Sequence, residues 1–153
     1  LYIASIGKTM HRNFMGYTPK RNDVLLGLGV SAISETDVCF HQNEKVLPLY
    51  LQKIEEKEIP TLRGHKLNLE DQTQRELILK LMTDWECLIN DEDEWKRISE
   101  SLSPLVEDDL LRLEDKKIIV TEKGKPFVRN ICMTLDKRLL RKKPSVNLFS
   151  QSI

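Results

Sequence analysis

Val24-Leu25-Leu26-Gly27-Leu28-Gly29-Val30 is a nearly continuous apolar run broken only by two glycines. Such a run suits a strand buried on both faces, as in a parallel sheet or an α/β barrel. Glycines inside it point to a bend, or to a place where another group approaches the backbone closely. A strand of this kind cannot bury itself alone. Residues 1–45 hold four of the six glycines, at Gly7, Gly16, Gly27 and Gly29, which sets this segment apart from the rest of the chain.

From Val46 onward the period becomes helical. Leu47, Tyr50, Leu51 and Ile54 recur at three- and four-residue steps, and Ile59-Pro60 closes that helix. Arg63-Gly64-His65 reads as a loop. Asn68 is placed as an N-cap, with Glu70 and Asp71 in the first turn of a helix that carries Leu77, Ile78, Leu81 and Met82 to about Thr83. Asn90 and the acids at 91–94 open a further helix with Trp95, Ile98 and Leu102. Ser103-Pro104 then predicts a separate short helix through Leu110. Leu111–Glu114 and Lys117–Val120 flank Asp115-Lys116 as a hairpin. A last helix starts between Thr121 and Pro126, with Phe127, Val128, Ile131, Leu135 and Leu139 on its apolar face. Arg141-Lys142-Lys143-Pro144-Ser145 forms a basic, proline-broken tail. Helices, a hairpin and a closing helix in this order describe a winged-helix module. The expected fold class is α+β, mainly helical, with a β-rich appendage before it.

Composition narrows the function classes. The 153 residues are 40% apolar and 31% charged, an ordinary globular mixture, and 24 basic residues balance 24 acidic ones. Nucleic-acid affinity rests on an excess of Lys and Arg, so a neutral chain is a poor phosphate binder. The helix that would serve as a recognition helix, 104–110, carries Glu107, Asp108 and Asp109 and no basic residue. A nucleic-acid-binding winged helix is therefore the weaker alternative. No apolar run approaches the roughly 20 residues of a membrane span, and neither the charged start nor the apolar stretch of a secretory signal is legible, so none is expected. Cys39, Cys87 and Cys132 are scattered without CxxC spacing, so no zinc or iron–sulfur site is legible, and a reducing cytoplasm is the expected location. His11, His41 and His65 share no ligand spacing. Leu1 in place of an initiator methionine hints at a processed or truncated chain.

Two strings carry a resemblance: His11-Arg12-Asn13-Phe14-Met15-Gly16-Tyr17-Thr18 and Leu25-Leu26-Gly27-Leu28-Gly29-Val30-Ser31-Ala32-Ile33-Ser34. They resemble the end of the catalytic barrel in the oxygen-independent coproporphyrinogen III oxidases, which are radical S-adenosylmethionine enzymes. Gln42-Asn43-Glu44-Lys45, Arg63-Gly64, Val120-Thr121-Glu122-Lys123-Gly124 and Val128-Arg129-Asn130-Ile131-Cys132-Met133 resemble that family's C-terminal domain. The related haem-chaperone branch typically carries an Asn-Leu-x-Tyr-Trp string where this chain has Asn13-Phe14-Met15-Gly16-Tyr17, so the oxidase branch is the nearer one.

The resemblance implies that residues 1–45 are the end of a radical-SAM barrel and 46–153 a winged-helix-like C-terminal domain with its tail, covering the active site. It implies a full-length enzyme that oxidatively decarboxylates two propionates of coproporphyrinogen III to vinyls, giving protoporphyrinogen IX in haem biosynthesis. That enzyme uses a [4Fe–4S] cluster and S-adenosylmethionine. The cluster ligands are expected in a missing N-terminal barrel, so this fragment holds no catalytic residue or metal ligand and is inactive alone. Phe14, Met15 and Ile33 fall where the family contacts a second S-adenosylmethionine, and Met15 replaces the family's usual glutamine. Plain core packing is the competing reading for all three. Arg12 and Arg63 are candidates for pairing with propionate carboxylates, the competing reading being surface or capping arginine. Gly27 and Gly29 are open between close cofactor approach and a strand bend.

Overall fold

A computed structural model describes residues 1–142, so residues 143–153 of the expected tail lie outside the described part. The chain is a mixed α+β protein and divides into two compact units, Leu1–Arg75 and Glu76–Ile153. The division expected after residue 45 does not follow the packing. Strand β6 (Thr61–Lys66) pairs with β5 (Cys39–Asn43) across it, and Arg63-Gly64-His65, expected as a loop, is the middle of that strand.

The first unit begins with α1 (Tyr2–Ile6) and a hairpin of β1 (His11–Asn13) and β2 (Gly16–Thr18). Next comes a four-stranded antiparallel sheet, in the order β3 (Val24–Leu25), β4 (Ile33–Thr36), β5, β6, with α2 (Leu47–Glu55) between β5 and β6. The glycine-punctuated run is thus not a buried parallel strand. Only Val24 and Leu25 pair, at a sheet edge and antiparallel, while Leu26 is 70% and Leu28 90% exposed. The reason lies in where the backbone hydrogen bonds go. Gly27 N–H donates to Ser34 Oγ at 3.0 Å, and Asn43 Nδ2 donates to the carbonyls of Gly27 at 3.1 Å and Gly29 at 3.0 Å. Side chains satisfy the groups that a neighbouring strand would have taken. Gly29 (φ 100°) and Ser31 (φ 63°) then turn the chain through the left-handed region into β4.

Burial in this unit is largely polar. Ala4, Pro60 and Leu67 are buried, against Asn13, Ser34, Glu35, Asn43, Glu44, Asp71 and Gln74. Helix α2 forms as its period predicts, yet none of its residues is buried, and Leu47, Leu49, Leu51 and Ile54 are about half exposed.

The second unit is built around apolar packing. Its elements are the end of α3 (Leu69–Asp84), β7 (Glu86–Leu88), α4 (Glu92–Glu107), the hairpin β8 (Leu111–Glu114) and β9 (Lys117–Val120), a 3-10 turn (Lys125–Phe127), α5 (Val128–Met133) and α6 (Lys137–Lys142). Leu81, Ile98, Leu102, Leu111, Ile118, Ile131 and Leu135 are fully buried, with Trp85 and Trp95 packed against them. The sheet order is β7-β9-β8. Asp115 (φ 47°) and Lys116 (φ 63°) give the hairpin the primed turn that matches strand twist. Burial, then the nearby Cys132, pushes the Cys87 thiol up to about 12, so it packs as a neutral apolar group.

Sequence expectations need four adjustments here. Strand β7 has no sequence signal: three residues are too few for a period, and the turn into it is made by Trp85 at φ 65°. Of the residues expected to open the next helix, Asn90 lies before it and Asp91 is the cap, its carboxylate accepting Glu94 N–H at 2.7 Å. Pro104 does not open a separate helix but sits inside α4. Its missing N–H removes one helical hydrogen bond, whereas continuing the helix keeps Leu102 and Leu105 on the core face. Finally, the closing helix is broken into three pieces, and Phe127, expected on its apolar face, is 47% exposed. Pro126 holds Lys125–Phe127 as a 3-10 turn, so the helical face starts only at Val128.

Helix α6 is tied to α4 through Glu94, which pairs with Arg97 at 2.7 Å and Lys137 at 2.8 Å. Burial raises the Glu94 pKa, but the hydrogen bonds from Arg97 and Lys137 outweigh it and hold the carboxyl below its ordinary value. A carboxyl with a depressed native pKa adds stability above its unfolded pKa and loses it as pH falls through the native one. Glu94→Gln is therefore expected to lower the urea midpoint at pH 7, with the gap to wild type closing below about pH 4. An equal gap at pH 7 and pH 3 would remove Glu94 as the source.

Candidate binding site

The site lies in the first unit and starts at the β1–β2 turn. Asn13 is buried, and its Oδ1 accepts Met15 N–H at 2.9 Å, while Gly16 at φ 121° completes the reversal. This places Phe14 at the hairpin tip. Its own N–H donates to Glu35 Oε2 at 3.2 Å. The other carboxylate oxygen of Glu35, Oε1, pairs with Arg75 Nη2. The Arg75 guanidinium also donates to Thr36 O at 2.9 Å and lies 4.9 Å from the ring centre of Phe40. Phe40 in turn meets Phe14 edge to face, with centroids 5.2 Å apart and planes at 87°.

The sheet register supplies the rest. Ile33 pairs with Gln42 and Gln42 with Arg63; Glu35 pairs with Phe40 and Phe40 with His65. Directly paired residues of an antiparallel sheet share a face. Ile33, Phe40, Gln42, Arg63 and His65 therefore stand on one side, where with Phe14 they line an open concavity of about 340 Å³. The rim is polar. Arg63 Nε donates to Gln42 Oε1 at 3.1 Å, and His65 Nε2 is 3.1 Å from Asp71 Oδ2. Asp71 and Asn68 also cap α3 reciprocally, Asn68 N–H to Asp71 Oδ2 at 3.1 Å and Asp71 N–H to Asn68 Oδ1 at 2.8 Å. Nearby on β1, burial and then the Arg21 charge lower the His11 pKa below its ordinary value.

Phe14, Ile33 and Arg63 thus come together. Met15 and Arg12 do not join them: Met15 is 82% exposed, and the Arg12 guanidinium lies 5.8 Å over the Tyr17 ring. Glu35, Phe40, Gln42, His65 and Arg75 escaped sequence reasoning. Their grouping depends on strand register, and β6 is too polar to show an alternating apolar signal. The two glycines have separate reasons. A Cβ on Gly27 would stand 2.5 Å from Ile33 O and 2.9 Å from Ile33 N, so the close approach is to the chain's own β4; Gly29 serves its turn.

Asn43 is 5% exposed and holds both glycine carbonyls beside Ile33. Asn43→Ala is expected to cost about 2 kcal/mol, because two carbonyls lose their donor. Urea unfolding followed by circular dichroism measures it, and a loss under about 0.5 kcal/mol would mean that water replaces the amide fully.

An aromatic and aliphatic floor beside an amide, a guanidinium and an imidazole suits a ligand with one flat apolar part and one polar or anionic part. The volume falls at the low end of small-molecule sites, about 300–1,000 Å³. Among the described residues, no group of three or more His, Cys, Asp or Glu side chains is arranged to hold a metal ion.

No family model matches this chain. Individual proteins do. The oxygen-independent coproporphyrinogen III oxidase of Escherichia coli is 35% identical over the whole chain, and that of Salmonella typhimurium 37%. The Pseudomonas aeruginosa oxidase is 33% identical over 91% of the chain. Among solved structures, coproporphyrinogen III oxidase from Escherichia coli, described as a radical SAM enzyme, superposes with a TM-score of 0.83 at 35% identity over 90% of this chain. By sequence and by fold, this chain is similar to part of an oxygen-independent coproporphyrinogen III oxidase. It spans 35% of the length of the Escherichia coli oxidase and 34% of the solved chain. The oxidase likeness includes the hairpin and sheet that form the concavity, since the sequence match covers the entire chain.

Proposed function

We propose that this chain is the C-terminal third of an oxygen-independent coproporphyrinogen III oxidase, acting on coproporphyrinogen III in haem biosynthesis in the cytoplasm. The observation that carries this reading is a coincidence of two kinds of position. Phe14 and Ile33, which the family resemblance singles out for a second S-adenosylmethionine, line one concavity with Arg63 in a chain similar to these oxidases throughout. On this reading Phe14, Phe40 and Ile33 hold the apolar part of the cofactor. Gln42, Arg63 and His65 orient its polar part or a substrate carboxylate. The cluster and S-adenosylmethionine, when bound, supply the hydrogen-abstracting radical; the cluster ligands belong to the rest of the enzyme. Met15 and Arg12 lie outside this concavity.

Two further features support the reading. The half-exposed apolar residues of α2, with Leu26 and Leu28, are surface that a larger protein would cover. In the second unit, the end of α3, β7, α4 and the β8–β9 hairpin support a winged-helix-like reading, with β7 as the third strand and the single helix α4 in place of the two helices expected before the hairpin. The expected cover over the barrel mouth of the full-length enzyme, drawn at residues 46–140, is assigned here to the second unit alone, from Glu76 onward. No helix among the described residues is long and apolar enough to cross a membrane.

Anaerobic assay of the cluster-loaded, full-length protein carrying this chain is the test. Protoporphyrinogen IX should form with loss of two carbon dioxide molecules per substrate, and residues 1–153 alone should show no turnover. Stoichiometric haem binding without conversion would replace the oxidase with a haem chaperone.

A further inference from the structure

We infer that Glu35 and Arg75 are positioning residues: an ion pair between the buried Glu35 and the partly buried Arg75 that sets the Phe14 ring at the mouth of the concavity. This rests on the proposal that the concavity holds S-adenosylmethionine. Phe14 sits at the tip of a hairpin whose strands are three residues each and pair only with one another, an arrangement with little stability of its own. The tip must be held from outside. Glu35 does so through the Phe14 N–H, at 3.2 Å, from a side chain that is 9% exposed.

A buried carboxyl group that accepts one N–H still needs a partner for its other oxygen. Arg75 provides that partner and is itself fixed by Thr36 O. The same guanidinium stacks 4.9 Å from Phe40, whose ring meets the Phe14 edge. Arg75 thus reaches Phe14 by two routes, through Glu35 to its backbone and through Phe40 to its ring. Lysine in its place keeps the charge opposite Glu35 but loses both the planar stack and the second donor.

The test uses the full-length, cluster-loaded protein and equilibrium dialysis of labelled S-adenosylmethionine under anaerobic conditions, alongside kcat and KM. Phe14→Ala should weaken the second binding event. Arg75→Lys should weaken it about tenfold while iron content and the thermal midpoint stay near wild type. The Phe14→Ala/Arg75→Lys double variant should bind no more weakly than Phe14→Ala alone, because Arg75 acts through the ring that is already gone. Glu35→Gln is the second route should Arg75→Lys not yield folded protein, with the same direction expected. Normal binding in Arg75→Lys or Glu35→Gln beside weakened binding in Phe14→Ala overturns the positioning role. So does a double variant in which the two losses multiply. Normal binding in Phe14→Ala removes the cofactor reading of the concavity itself, and the inference with it.

Discussion

Gly124→Ala is expected to destabilise the 153-residue chain by about 3 kcal/mol or more, the largest effect of any single methyl addition here. Gly124 is buried and has an ordinary right-handed backbone (φ −79°, ψ −21°), so no conformational preference demands glycine. Space does. A Cβ would stand 1.7 Å from Leu110 O and 2.7 Å from Leu110 C, both backbone atoms. Leu110 cannot withdraw cheaply, because its carbonyl accepts Thr121 N–H at 3.1 Å and Asp109 O accepts the Thr121 hydroxyl at 2.8 Å. The segment joining β9 to α5 would have to lift away from the end of α4. Urea unfolding measures the loss, with Gly7→Ala as the control, since a Cβ there meets its nearest neighbour at an ordinary 3.4 Å. Equal midpoints for Gly124→Ala and wild type would refute the close packing.

Gly27→Ala is expected to damage the concavity rather than the second unit. The new methyl would press on Ile33 O, C and N, all within 2.9 Å, and Gly27 is held in place by Ser34 Oγ and Asn43 Nδ2. Relief requires β4 to move, and Ile33 with it. In the full-length protein, binding of S-adenosylmethionine at this site should fall at least about tenfold, with a stability loss of about 2 kcal/mol. Gly29→Ala is the comparison. Nothing lies within 4 Å of its Cβ, so only the strain of φ 100° remains, about 1 kcal/mol. If Gly29→Ala harms binding as much as Gly27→Ala, loop conformation matters and contact with Ile33 does not.

These two glycines mark the boundary between what is legible in a chain and what is not. Both stand in strings that carry the family likeness, but their physical reason is contact with residues that are far away or differently arranged than local pattern suggests. The same holds for the site. Phe14, Ile33 and Arg63 were identifiable as candidates, whereas Glu35 and Arg75 are a charged pair forty positions apart that becomes meaningful only when the fold brings them together.

Local chemistry by itself determined most helices and the hairpin. Asn68 caps α3, and Asp115-Lys116 forms a turn because neighbouring residues meet within a few bonds of each other. Apolar period likewise marked Leu81, Ile98, Leu102 and Ile131 as core. Tertiary structure alone decided that Val24–Val30 is an edge strand and loop, that Pro104 stays within α4, and that β6 exists. Each of these depends on hydrogen-bond partners or packing surfaces supplied by distant residues. A period in the sequence records which face is apolar but not what will stand opposite it.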